Sequence, residues 1–256
     1  MSILLRKIRV ALTPRQWRLK TRLSNGPVVS GKNRSGYGGR GVYIFRDAVE
    51  TEFQHLTQFL EPSDVFVDVG ASAGIYTLKA AQHFRRADGL VLALEPFPDV
   101  LATLFYNVQA NGLTNVRLRN VCAGARTEPG TLWTNFDKPN LFSLIQSDEK
   151  ASPLAVLTVA LDDLFGWEKL NRLDYLKIDV EGAEQQVLAG AKNILQKYRP
   201  IIQMEVDKED APLDLPDYVA FQAPGSHNKI YLPREHPKFH LPTQLNWLRL
   251  DDPKLT

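Results

Sequence analysis

Cysteine is nearly missing: Cys122 is the only one in 256 residues. A single thiol excludes an intrachain disulfide framework and any metal site built from several cysteines. It sits in an apolar run, where it reads as a small buried hydrophobe, and the chain fits a reducing compartment. Histidine is scarce too. His55, His83, His227, His236 and His240 show no spacing that suits a metal. His227, in the loop PGSHNK, could overhang a site, although most lone loop histidines are solvated. No apolar stretch is long enough to cross a bilayer, and no small-residue cleavage site follows an apolar segment, so no secretory leader is read. The expected location is the cytoplasm.

Acid is absent from the first 46 residues, which carry eleven Lys/Arg. The net charge of +2 therefore hides a body with 20 basic residues against all 29 acids. A basic arm on an acidic body implies contact with something anionic. In MSILLRKIRVAL, Leu4, Ile8 and Leu12 fall on one helical stripe with Arg6, Lys7 and Arg9 around it. Thr13-Pro14 reads as an N-cap with a first-turn proline, starting a second short basic helix that contains Trp17. Such an arm could lie on an anionic membrane at the inner face. The alternatives are an arm packed on the body, or a dimer contact; the oligomeric state is open.

Residues 24–41, SNGPVVSGKNRSGYGGRG, read as a flexible or loop-forming link. A helix is expected over about 47–60, with Phe53, Leu56 and Leu60 inward. Strands follow at 65–69, 90–94, 116–122, 173–180 and 200–206, separated by helices at 74–84, 96–110 and 182–195. Asn111-Gly112 closes the third of the expected helices. TLWTN and LTVALDDL read as short strands around a loop, and the proline-rich tail as loops with an antiparallel pair near 218–221 and 245–250. Alternating strands and helices predict an α/β fold, a mostly parallel sheet covered on both faces.

The stretch from Val65 to Glu95 carries the first chemistry: VFVDVGASAG, a helix, then LVLALEP. A strand, a glycine turn, a helix and a second strand ending in an acid is how such a fold holds a nucleoside, with the acid on the ribose hydroxyls. The turn Gly70-Ala71-Ser72-Ala73-Gly74 is not the GxGxxG of dinucleotide sites. Asp68, before Gly70, would repel a pyrophosphate but suits a cation. S-adenosylmethionine, with a sulfonium, an ammonium and no phosphate, is the expected ligand. Gly70 and Gly74 would let the backbone approach its methionine part, the helix N-terminus would point N–H groups at its carboxylate, and Glu95 would take the ribose diol.

The chain also resembles the FkbM-type methyltransferases. The matching pieces are DVFVDVGASAGIYT (64–77), LEP with NVQANGL (94–96, 107–113), LTVALDDL (157–164), LDYLKIDVEGAEQQVLAGAKNIL (173–195) and PIIQMEV (200–206). The KIDVEGAE segment is the most particular of them. The resemblance covers roughly residues 47–206 and implies a Rossmann-like class I methyltransferase with a seven-stranded sheet. Residues 1–46 would be the basic arm and link, and 47–256 the methyltransferase domain. It implies S-adenosylmethionine held by Asp68, Gly70, Ala71, Ser72, Gly74, Glu95 and Pro96, with Ala123 beside Cys122 at the adenine edge.

Asp179, Glu181 and Glu184 follow the fourth of the expected central strands, near where the methyl group would sit. Asp179 or Glu181 could act as the base for a hydroxyl acceptor. Lys177, on the same strand face as Asp179, could pair with it. Glu184 reads better as a helix-face residue. Asp179, Glu205 and Asp207 could in principle bind Mg²⁺ through oxygen, but no metal is expected. No Asn/Asp-Pro-Pro-aromatic tetrapeptide follows that strand, which favours oxygen over nitrogen as acceptor. The expected reaction is O-methylation of a sugar, glycolipid or secondary metabolite. An RNA methyltransferase using the basic arm is an alternative, disfavoured because no aromatics are interleaved with the charges. A donor-binding scaffold without catalysis is the other.

Overall fold

The computed structural model describes residues 1–24, 26–34, 38–134, 152–180, 182–205 and 215–250. Glu181, Asp207 and most of the loop expected after TLWTN lie outside the described residues.

The N-terminal segment folds as α1 (Ile3–Leu12), β1 (Arg18–Arg22), β2 (Val28–Lys32) and α2 (Arg40–Phe45). The expected second basic helix at Thr13-Pro14 is replaced by a hairpin. Thr13 ends α1, its N–H donating to Arg9 O at 3.0 Å. Burial then alternates along β1, with Leu19 and Thr21 inside and Arg18, Lys20 and Arg22 outside, which is a strand period. The expected link contains β2, paired antiparallel to β1.

Between residues 46 and 58 a 3-10 turn, α3 (Thr51–His55) and a second 3-10 turn replace one continuous helix, because Glu50 is extended. The inward face is as expected: Phe53, Leu56 and Leu60 are buried.

The body continues with β3 (Val65–Val69), α4 (Ile75–Phe84), β4 (Leu90–Leu94), α5 (Pro98–Ala110) and β5 (Val116–Arg119). Next come β6 (Cys122–Ala123), β7 (Glu128–Thr134), β8 (Ser152–Val159), α6 (Leu161–Glu168), β9 (Tyr175–Ile178), α7 (Glu184–Ala189), α8 (Lys192–Tyr198) and β10 (Ile201–Glu205). The chain ends in β11 (Tyr218–Gln222), β12 (Asn228–Pro233), α9 (Leu241–Gln244) and β13 (Leu248–Arg249).

The main sheet has the order β5-β4-β3-β9-β10-β12-β11-β13. The first five are parallel neighbours, and the last three pair antiparallel. This is the seven-stranded α/β sheet that the sequence implied, with a two-residue edge strand added. Strands β3 and β9 are buried at every position, as apolar parallel strands covered on both faces are. One face packs Phe53, Phe66, Tyr76, Phe84 and Tyr175 under α4 and α5. The other packs Val67, Leu92, Ile178, Phe165, Val187 and Leu195 under α6, α7 and α8.

Three expected elements differ. The strand at 116–122 breaks at Asn120, whose Nδ2 donates to the carbonyls of Glu95 and Pro96. Cys122 and Ala123 therefore leave the main sheet for a small one with β8 and β7, so they are not the tip of its third strand. The helix at 182–195 breaks near Gly190, where a Cβ would lie 2.0 Å from Gly124 O. In the tail, β13 does pair with β11, but over two residues; β12 is the main partner.

Candidate active site

Strand order reverses between β3 and β9, and the crevice beyond the carboxyl ends of these strands is where an open α/β sheet binds ligands. The loop after β3 fills one wall. Gly70 has φ +77°, and a Cβ there would sit 1.8 Å from Asp179 O, so only glycine lets the β3 and β9 tips meet. Gly70 N and Ala71 N both donate to Leu94 O, at 3.0 and 2.9 Å, tying the loop to β4. Gly74, with φ +89°, turns the chain into α4.

Glu95 stands at the end of β4. Its Oε2 accepts from Ser72 N and its Oε1 from Phe97 N, both at 2.9 Å. The side chain is buried, and burial pushes its carboxyl up to about 7, against the pull of those two N–H groups. Pro96 follows, partly buried, with its carbonyl held by Asn120. Ala123 is buried in the core on the face of α6.

Asp68 lies beneath the loop, 1% exposed, and does not line the cleft. Its Oδ2 accepts from Thr77 N at 3.1 Å and Thr77 Oγ1 at 2.6 Å, which caps the first turn of α4. Its Oδ1 is buried with no partner among the described residues. Burial raises its carboxyl, and Lys177 opposes that rise.

A cleft of about 210 Å³ opens beside this loop. Lys177 and Asp179 at the end of β9, Glu50, and Gly38, Gly41 and Val42 at the start of α2 complete its walls. Lys177 Nζ donates to Asp179 Oδ2 at 3.0 Å and lies 4.8 Å from the centre of the Tyr76 ring. Burial alone would lower the Lys177 pKa, but Asp179, Asp68 and Glu50 around it hold it above the ordinary lysine value. The lysine is thus a fixed cation. Asp179 keeps its carboxylate partly exposed to the cleft.

Glu50 and its surroundings escaped the sequence reading. The Tyr76 hydroxyl donates to Glu50 Oε2, Gln203 Nε2 donates to the Tyr76 oxygen at 2.8 Å, and the Tyr175 hydroxyl donates to Gln203 Oε1 at 2.8 Å. Asn228 Nδ2 reaches Glu50 Oε2 at 3.4 Å and also donates to Glu52 Oε1. Burial raises the Glu50 carboxyl, while Lys177 and the Tyr76 hydroxyl pull it down. These residues come from six separate elements or turns, so no local spacing marks them. Glu50 itself falls inside the helix expected over 47–60, where it reads as one more surface acid.

Other expected residues stand apart. Glu205 ends β10, exposed and outside the cleft wall. His227 is exposed in the turn before Asn228. Glu184 is buried rather than on an open helix face: its Oε1 accepts from Val180 N and Gly182 N at 3.3 Å and braces the segment after β9. Among the described residues no group of three His, Cys, Asp or Glu side chains could hold a metal. The cleft chemistry fits S-adenosylmethionine: Glu50 in the wall could offer an anion to its ammonium, and Glu95, behind the loop at the end of β4, could offer oxygens to a ribose.

The model of the methyltransferase FkbM domain matches residues 68–222. A curated relative, Methyltransferase 1 of the fungus Beauveria bassiana (strain ARSEF 2860), is 27% identical over 171 residues, covering 56% of this chain and 68% of that protein. The crystal structure of methyltransferase FkbM from Methylobacillus flagellatus KT superposes with a TM-score of 0.49 at 19% identity, over 75% of this chain and 52% of that one. The chain thus spans about half the length of that structure. The putative methyltransferase yhhF of Escherichia coli gives 0.47 at 12% identity, over 83% and 97% of the two chains. With more than half of its residues matched by the family model, the chain belongs to the FkbM family of S-adenosylmethionine-dependent methyltransferases.

Proposed function

We propose that the chain transfers a methyl group from S-adenosylmethionine to a hydroxyl of a sugar, glycolipid or secondary metabolite, with Asp179 as the base. The observation that carries this reading is the position of Asp179. It lines the same cleft as the Gly70–Gly74 loop and is held by a buried, permanently charged Lys177. When bound, the donor supplies an electrophilic methyl on its sulfonium. Everything else falls to the chain. Glu95, at the β4 tip, supports a ribose by accepting its hydroxyl hydrogens. Glu50, at the cleft wall, offers a carboxylate to the ammonium. The Asp179 carboxylate takes the acceptor's hydroxyl proton as the oxygen bonds to the methyl carbon and the sulfur–carbon bond breaks. Lys177 fixes where that carboxylate points.

Labelled methyl transfer into a cell extract, with the acceptor then identified from the labelled product, tests the reading. Asp179→Asn should lower the transfer rate by roughly 10²–10⁴-fold while donor affinity stays within a few-fold. If Asp179→Asn transfers methyl groups as fast as the unaltered chain, Asp179 is not the base.

A further inference from the structure

Helix α1 is built inside out. Its one buried side chain is Arg6, 8% exposed, whose guanidinium donates to Ile44 O at 3.2 Å. Its aliphatic residues turn away from the body: Ile3, Leu4, Leu5, Ile8 and Leu12 are 47% to 79% exposed. Trp17, after the helix, is 62% exposed. This inverts the usual arrangement of a surface helix, whose apolar stripe faces the core.

The charges around this face carry one sign. Lys7, Arg9, Arg15, Lys20 and Arg22 are exposed, and no acid occurs before Asp47. Lys7 lies over the ring of Phe45, itself 39% exposed, so the patch continues onto α2. A second copy of the chain would bring two such basic arms together, and like charges repel. An anionic bilayer has no such conflict. It accepts aliphatic and indole side chains at the headgroup level, while Lys and Arg reach the lipid phosphates.

We propose that α1 docks on an anionic lipid surface, with Leu4 and Ile8 inserted and the flanking lysines and arginines against phosphates. No helix among the described residues is long and apolar enough to cross a membrane, so the attachment is peripheral. Helix α1 packs on α2, which supplies Gly41 and Val42 to the cleft wall. The proposal does not depend on the identity of the donor.

The test is flotation of the full chain with phosphatidylcholine vesicles, with and without about one-third phosphatidylglycerol. The chain should float with the mixed vesicles, stay behind with pure phosphatidylcholine, and be released by high salt. Leu4→Glu with Ile8→Glu should lower partitioning at least ~10-fold with an unchanged melting temperature, since both side chains are solvent-exposed in the free chain. Lys7→Gln with Arg9→Gln should lower it by about 10-fold as well. Failure of the unaltered chain to float with the anionic vesicles would overturn the proposal, as would equal flotation of the Leu4→Glu, Ile8→Glu variant. So would a dimer in sedimentation that Leu4→Glu dissolves, because the face would then belong to a second copy.

Discussion

At the scale of single residues, the cleft sets its chemistry by burying carboxylates. Glu95 is held up to about 7 by burial, so near pH 6 it is largely protonated in the free protein. Ribose hydroxyls donating to it would favour the charged form. Donor binding at pH 6 should therefore release close to one proton. Calorimetry in buffers of different ionisation enthalpy reads that proton directly, and Glu95→Gln should abolish it. The same shift sets a stability trend. A carboxyl raised above its unfolded value favours the fold while it is protonated, and this contribution fades as pH rises from about 4.5 to about 7. Glu50 gives a second expectation. If its carboxylate meets the donor's ammonium, Glu50→Gln should weaken S-adenosylmethionine by roughly 10- to 100-fold, the size of a charged hydrogen bond. It should leave 5′-methylthioadenosine, which has no amino acid, unchanged. Equal weakening of both ligands would remove Glu50 from that role.

At the scale of elements, two side-chain amides hold the N-terminal hairpin to the body. Asn107 Oδ1 accepts from Ser30 N at 2.9 Å, and its Nδ2 donates to Ser30 O at 2.9 Å and to Ala73 O at 2.8 Å. One helical turn on, Asn111 makes the same reciprocal pair with Val28. The helix thus presents a short imitation of a strand edge to β2, and through Ala73 it also steadies the donor loop. Asn107→Ala leaves three buried backbone groups without partners and should cost about 2–3 kcal/mol in urea unfolding. It should also weaken donor binding. This contact explains what local sequence could show and what it could not. Strands β3 and β4 lie where expected, residue for residue, because VFVDV and LVLAL are buried on both faces and need no other cue. Strand β2 could not be seen in a stretch of Gly, Ser and Asn, since beyond its hairpin partner β1 its other edge is held by side-chain amides about 80 residues away. Strand β12 was hidden for a similar reason: NKIYLP gains its place only by filling the gap between β10 and β11. Glu95, Lys177 and Asp179 were legible from the strand tips they occupy. Glu50 and the Tyr76–Gln203–Tyr175 chain were not, because tertiary packing alone assembles them.

At the scale of the whole molecule, the strand order puts Glu95, Lys177 and Asp179 at one edge of the main sheet. The reversal between β3 and β9 opens the crevice, the loop after β3, tied to the end of β4, forms one side, and Asp179 with Lys177 forms the other. The charge distribution follows the same division of labour: the arm is basic, and the body carries all 29 acids. An acid-lined cleft in an acidic body attracts a cationic donor and repels a dinucleotide phosphate. That selectivity is the central claim, and titration calorimetry of the full chain with S-adenosylmethionine and, separately, with NAD tests it most directly. The account predicts saturable binding of S-adenosylmethionine and none of NAD; binding of NAD without binding of S-adenosylmethionine would contradict it.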